Sequence, residues 1–259
     1  MSIDILIAGD PKTGKTVSAA TFPKPMLYLD CDGNGCLSIQ NAKDASGKLI
    51  ISAEEFKEIT IVPFKRTKVI PFDFSGEKKS QDTCNYTEGS RIVSEINKVF
   101  LDLAAGKGYA NNNVLYKSIV IDSTTSLFQF WKETVMFRSN IAALRQQDYG
   151  VLHTVLFSQL LPTLRVLPVD YVIVISHLET DRSADSLIAE YPVGPTKNQG
   201  KNIAKDFTEV WKQRLLSGKR VWSTRPYGFF NAGSRHHFPD PIEANYNALK
   251  PYLQTKKEN

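Results

Sequence analysis

The sequence predicts an α/β fold: a mostly parallel sheet between helices, with a β-hairpin near the C-terminus. Three observations carry this. The apolar runs Ile3 to Ala8, Met26 to Asp30, Ser118 to Asp122 and Tyr171 to Ser176 are continuous rather than alternating, the pattern of strands covered on both faces. Between them lie stretches with helical spacing, clearest in Ile92, Val93, Ile96, Val99, Phe100 and Leu103. The first run leads straight into Gly9-Asp10-Pro11-Lys12-Thr13-Gly14-Lys15-Thr16, the spacing G-x-x-x-x-G-K-[ST] that joins a first strand to a helix.

Each element follows in order. Val17 to Phe22 reads as a short helix after the glycine loop, and Met26 to Asp30 as a second buried strand. A Gly-containing turn spans Cys31 to Cys36, and the β-branched run from about Glu58 to Phe64 reads as a sheet-edge strand. Asp73 to Gly89, with Lys78-Lys79-Ser80-Gln81, reads as an exposed polar loop, and Ser90 to Ala105 as a helix. The strand ending at Asp122 precedes a long, mostly helical region to about Arg165, interrupted near Gln146 to Gly150. After His177 the chain turns polar. Glu179 to Lys205, with Pro192, Gly194, Pro195 and Gly200, reads as a long functional loop. Phe207 to Leu216 and Lys219 to Thr224 flank Ser217-Gly218 as a hairpin, and Pro241 to Leu253 reads as a closing helix. The expected organisation is one domain over residues 1–259: a core to about 178, then loop, hairpin and helix over 179–253, then a frayed tail over 254–259.

With 259 residues and 42% hydrophobic content the chain can bury a core without a disulfide or metal staple. Cys31, Cys36 and Cys84 lack paired C-x-x-C spacing, so free thiols in a reducing compartment are expected. A core strand at the very start leaves no room for a signal peptide, and no apolar run approaches the ~20 residues that cross a bilayer. The expectation is a soluble protein of the bacterial cytoplasm, with no membrane partner. A net charge of +5 is compatible with a nucleic-acid partner without requiring one.

The chemistry is concentrated at the glycine loop. Glycines let the backbone wrap until its N–H groups face phosphate oxygens. Gly9, Asp10, Pro11, Lys12, Thr13, Gly14, Lys15, Thr16 and Val17 are therefore the expected nucleotide-binding residues, and the following helix start adds a favourable dipole. Lys15 reaches the β- and γ-phosphates, and the Thr16 hydroxyl ligates Mg²⁺. ATP and Mg²⁺ are the expected cofactors. Asp122, at a strand tip, fits the second acid of the metal site; capping the helix that starts near Thr124 is its ordinary alternative role. Asp32 stands just beyond the second strand, where a carboxylate orients the attacking water, and Asp30 competes with it. For either acid, forming the turn beside Gly33 is the plain alternative. Arg235-His236-His237 has no third ligand nearby in sequence and reads as a surface turn.

These residues resemble the RecA-like P-loop ATPases. Val120-Ile121-Asp122-Ser123 with Leu127 is similar to that superfamily's second metal-binding motif, and His177 at its strand end resembles the residue that senses the γ-phosphate. The closest likeness is to the phage Sak-type proteins of single-strand annealing and recombination. It extends through Trp131, Gln147-Asp148-Tyr149-Gly150, Phe207-Thr208-Glu209-Val210, Thr224-Arg225-Pro226 and Ala232-Gly233-Ser234-Arg235. The resemblance implies a RecA-like P-loop NTPase core and a ring or filament with ATP between subunits. In it Arg235 or Arg225 acts in trans, unless both are merely solvated hairpin charges. There are two departures: Asp32 stands where a Glu is usual, and Gly233 where a Lys commonly precedes the late Arg. The expected catalytic set is Lys15, Asp32, Asp122, His177 and Arg235.

The 179–205 segment stands where RecA-like proteins carry a DNA-contacting loop. Arg182, Lys197, Lys201 and Lys205, with Tyr191 interleaved, suit a single strand; Glu179, Asp181, Asp185 and Glu190 oppose it. The expected function is an ATP-binding, DNA-stimulated ATPase acting on single-stranded DNA in recombination or annealing, with a single-strand-binding protein as a further candidate partner. Two rivals remain. One is a nucleotide-gated recombination mediator with little hydrolysis. The other is a nucleoside or nucleotide kinase, for which Asp181-Arg182-Ser183 offers a motif at the wrong strand. A GTPase would need an Asn-Lys-x-Asp after a late strand, which this chain lacks.

Overall fold

Six parallel strands make the centre of the molecule, and the last of them in sequence lies beside the first. In the computed structural model, which describes residues 2–66, 81–141, 143–183 and 186–254, the apolar runs become β1 (Ile3–Gly9), β2 (Met26–Asp30), β3 (Ile59–Pro63), β4 (Ser118–Asp122) and β5 (Tyr171–Ser176). A two-stranded unit, β6 (Leu178–Ser183) and β7 (Ser186–Pro192), follows. The hairpin β8 (Glu209–Leu216) and β9 (Lys219–Ser223) and two short strands, β10 (Gly233–Ser234) and β11 (Ile242–Glu243), complete the described strands. The main sheet runs β11-β9-β8-β1-β5-β4-β2-β3, with β10 also on β8. From β8 to β3 all neighbours are parallel, and β9, β10 and β11 pair antiparallel. The expected α/β class is what forms, with β3 at an edge.

Side-chain alternation divides the core in two. Leu6, Leu27, Leu29, Ile119, Ile121, Val172 and Val174 face one layer, while Ile5, Ile7, Met26, Tyr28, Val120, Ile173 and Ile175 face the other. The first layer is covered by α4 (Gln81–Ala104), α5 (Thr124–Ser139), α6 (Asp148–Thr154) and, through a π-helical turn at Val155–Leu160, α7 (Leu161–Val166). The second is covered by α1 (Lys15–Ala19), α2 (Gly35–Asn41), α3 (Ala53–Lys57) and the C-terminal helix, with Ala19, Ile39 and Leu249 in one cluster with Trp211 and Trp222, and Phe22, after α1, against Trp222. Continuous apolar strands thus bury both faces, as a parallel sheet requires.

Three sequence expectations are corrected. The long loop expected over Glu179 to Lys205 is the β6–β7 pair followed by α8 (Lys197–Ile203), whose Thr196 hydroxyl accepts from the Gln199 N–H at 3.2 Å. Its glycines mark close packing rather than irregularity: a Cβ on Gly194 would lie 2.2 Å from the Gly200 nitrogen. The polar loop expected over Asp73 to Gly89 is helical from Gln81 onward, because this end of α4 packs on α5, with Glu88 buried and Gly89 against Glu133; its 73–80 portion lies outside the described residues, as does 255–259 of the expected tail. The closing helix is α9 (Tyr246–Gln254) rather than one begun at Pro241, since Ile242 and Glu243 pair with β9 first. Asn245 then caps it by accepting from the Ala248 N–H at 3.0 Å. Among the described residues no helix is long and apolar enough to cross a membrane. Cys31 and Cys36 are free thiols, and the Cys84 side chain lies outside the described residues.

Candidate functional site

The carboxyl ends of β1, β2, β4 and β5 meet at one cavity, where the strand order places β1 between early and late strands. The cavity, about 440 Å³, is lined by Lys12, Gly14, Lys15, Thr16 and Val17 of the glycine loop, by Asp32, Asp122 and His177, by Leu37, Ser38, Asn41 and Ala42 of the α2 side, and by Arg220. It brings together residues that the sequence analysis drew from four strands. A neighbouring cavity of about 480 Å³ shares Asp32 and is lined by Lys65, Arg66, Ser126 and Gln129.

The loop is built by its glycines and its lysine. Gly14 sits at φ 88°, a left-handed conformation that a side chain would strain. Lys15 is buried, and its ammonium donates to the carbonyls of Gly9 at 2.7 Å and Asp10 at 2.8 Å. Burial pulls its pKa below the ordinary lysine value, and Asp122, Asp10 and Asp32 act against that shift. From behind, Gln213 of β8 donates to the Thr13 carbonyl at 2.8 Å and the Ser18 hydroxyl at 3.0 Å, and accepts from the Trp222 indole at 2.9 Å.

The three acids have different environments. Asp30 is buried, and both its carboxylate oxygens are occupied by backbone N–H groups, Gly33 at 2.7 Å and Gly35 at 2.9 Å. It ties the turn after β2. Asp122 is buried too. Oxygen Oδ2 accepts from the Thr16 hydroxyl at 2.6 Å and from the Tyr28 hydroxyl, whose own pKa burial pushes well up. Burial raises the Asp122 carboxyl; the bonds from Thr16 and Tyr28 oppose this, and the nearby charges of Asp32 and Asp30 add to it. Asp32 faces both cavities. Its Oδ1 accepts from Ser123 at 2.9 Å and Ser126 at 2.6 Å, while His177 Nε2 stands 3.8 Å from Oδ2. Burial works to raise Asp32, but His177, Ser126 and Ser123 outweigh it and hold the carboxyl at about 2. The His177 Nδ1 is buried and has no hydrogen-bond partner among the described residues.

This donor set fits a magnesium nucleotide. A half-buried hydroxyl and a buried carboxylate, Thr16 and Asp122, stand together near the buried Lys15 ammonium, and burial that raises the Asp122 carboxyl is what a bound cation would offset.

Other candidates lie elsewhere. Arg235 is exposed, and its N–H donates to buried Glu209 at 3.0 Å; Glu209 lies four residues, about 13 Å, down β8 from Gln213. Arg225 is exposed beyond the far end of β9. His236 Nδ1 lies 2.7 Å from the same Glu209 carboxylate. Lys197 and Lys201 both pair with Asp181, at 2.7 and 2.8 Å, while Arg182 and Lys205 are exposed.

The sequence analysis missed Tyr28, Ser123, Ser126, Gln213 and Arg220. Gln213 left no distinct signal, since Glu209, Lys212 and Arg214 stand in the same strand. Arg220 left none. A sequence model of the AAA domain family matches residues 1–236. No curated protein matches the chain.

Proposed function

The chain belongs to the AAA domain family of P-loop ATPases, and on that premise we propose that it binds ATP with Mg²⁺ and hydrolyses it between Lys15, Thr16, Asp32, Asp122 and His177. One observation carries the reading: loop cation, loop hydroxyl and two carboxylates in unlike environments line a single cavity. Lys15 exchanges the Gly9 and Asp10 carbonyls for β- and γ-phosphate oxygens. Thr16 and Asp122 would hold the Mg²⁺, which would supply neutralising charge to the phosphates. Asp32, ionised and braced by Ser123 and Ser126, orients the attacking water. A carboxyl held at about 2 is a weak proton acceptor, so its part is positioning rather than early proton removal. His177 lies against Asp32 and links that acid to the β6–β7 unit that begins at the next residue.

Asp32→Asn is expected to lower the hydrolysis rate about 10²- to 10⁴-fold, with ATP affinity within about threefold of the parent. Single-turnover hydrolysis beside equilibrium ATP binding checks this. Equal loss in both would remove Asp32 from the water-positioning role.

The partner proposed is single-stranded DNA, in the recombination or annealing work implied by the likeness to Sak-type phage proteins. Exposed Arg182 on the β6–β7 unit and exposed Lys205 just after α8 support it. In an assembled ring or filament, Arg235 or Arg225 would serve a neighbour's site, since Arg235 stands away from its own loop. The experiment is ATP hydrolysis with and without single-stranded or duplex DNA. Stimulation by single strands alone is expected; no stimulation, with no DNA binding at low salt, would overturn this part of the reading. A second reading, a nucleotide-gated mediator with slow hydrolysis, draws on the pairing of Lys197 and Lys201 with Asp181, which mutes two of the four cations.

A further inference from the structure

We infer that Arg220, carried by the β8–β9 hairpin, is a second cation for the phosphate chain, supplied by the same subunit that supplies the loop. The inference rests on the reading that this cavity binds ATP. The hairpin runs past the end of β1: Gly9 pairs with Gln213, and Leu215, two residues further, pairs with Arg220. That overhang lays Arg220 on the glycine loop. A Cβ on Gly14 would lie 2.4 Å from Arg220 Nε and 2.7 Å from its Cδ, so the guanidinium rests on a loop residue with no side chain in its way.

The arginine is held in place from its backbone. Its carbonyl accepts from the Ala244 N–H at 3.0 Å, and Gln213, seven residues before it, bonds the loop directly. Its side chain is half-buried, lines the cavity with Lys12, Lys15 and Thr16, and has no hydrogen bond or ion pair among the described residues. The other hairpin arginine is a contrast: Arg214 donates to Ser223 at 2.8 Å and stacks on Tyr227. A guanidinium carries five donors in a planar fork, stays charged, and matches phosphate oxygens two at a time. A half-buried fork without acceptors, against a loop shaped for phosphates, has its complement in the polyanion.

The test compares the parent protein with Arg220→Ala and Arg220→Lys. Displacement of a fluorescent ATP analogue by ATP and by inorganic tripolyphosphate, both with Mg²⁺, is measured beside the Tm of the ligand-free proteins. Arg220→Ala is expected to weaken both competitors by about 10- to 100-fold, and Arg220→Lys to recover part of the loss. The ligand-free Tm stays unchanged, because no acceptor loses a donor. Unchanged ATP affinity in Arg220→Ala would overturn the inference. So would a loss confined to ATP with tripolyphosphate unaffected, since Arg220 would then read the nucleoside. If the parent protein itself fails to bind ATP, the function proposed above falls and takes this inference with it.

Discussion

Lys15→Ala is expected to lower kcat/KM for ATP by at least about 10³-fold, some 4 kcal/mol of transition-state stabilisation. The ammonium is buried, and burial already disfavours its charged form. Among the described residues, the two loop carbonyls and the acids Asp122, Asp10 and Asp32 hold that charge in place. Phosphate oxygens are stronger partners than carbonyls for a desolvated cation, so the site gives its lysine more to gain from ATP than from the loop. Steady-state hydrolysis and the rise of Tm on adding Mg·ATP check this together. The parent is stabilised by ligand through mass action, and the variant is not. Hydrolysis retained above a tenth of the parent rate would remove Lys15 from its role.

The second large effect comes from Asp122→Asn, which is expected to abolish hydrolysis while raising the ligand-free Tm by about 2–4 °C, roughly 1 kcal/mol for a chain of this size. Burial raises this carboxyl, and Asp32 and Asp30 add to the shift. A folded-state pKa above the unfolded value means that the folded chain keeps a proton the unfolded chain has released. Stability therefore falls as pH rises from the unfolded value to the folded one, and the full cost is present above the folded value. Asparagine removes the charge and keeps the acceptor: Thr16 and Tyr28 both donate to the same oxygen, Oδ2, which an amide oxygen can replace. Magnesium has no such substitute, since it needs the carboxylate. Thermal melts of parent and variant across pH, without ligand, test the sign. A variant less stable than the parent at neutral pH would mean that the ionised carboxylate stabilises the apo fold.

Much of this was legible because it is local. The glycine loop, the acid closing β4 and the continuous apolar strands are written in neighbouring residues, and their spacing fixes them. Asp32 and His177 could be placed because they follow strand ends. Asp30 and Asp32 could not be separated, since only the turn shows Asp30 held by the Gly33 and Gly35 N–H groups. The 179–205 segment misled because glycine and proline serve tight packing as well as loops: Gly194 and Gly200 are there to let two backbones touch. Arg220 was beyond reach for a different reason. Its neighbour Gly14 is some 200 residues away, like the Thr13 that Gln213 bonds at a separation of 200, and no pattern within either segment records the meeting.

That separation bears on how the protein is made. The strand that backs the glycine loop, β8, and the Gln213 that fastens it leave the ribosome 200 residues after the loop does. Closing so long a loop carries an entropic cost before any contact rewards it. The nascent chain therefore displays the nucleotide-binding sequence long before it owns a nucleotide-binding site. The ability to bind is conferred late, by the C-terminal part of the chain, so a product truncated before the hairpin carries the motif without the pocket.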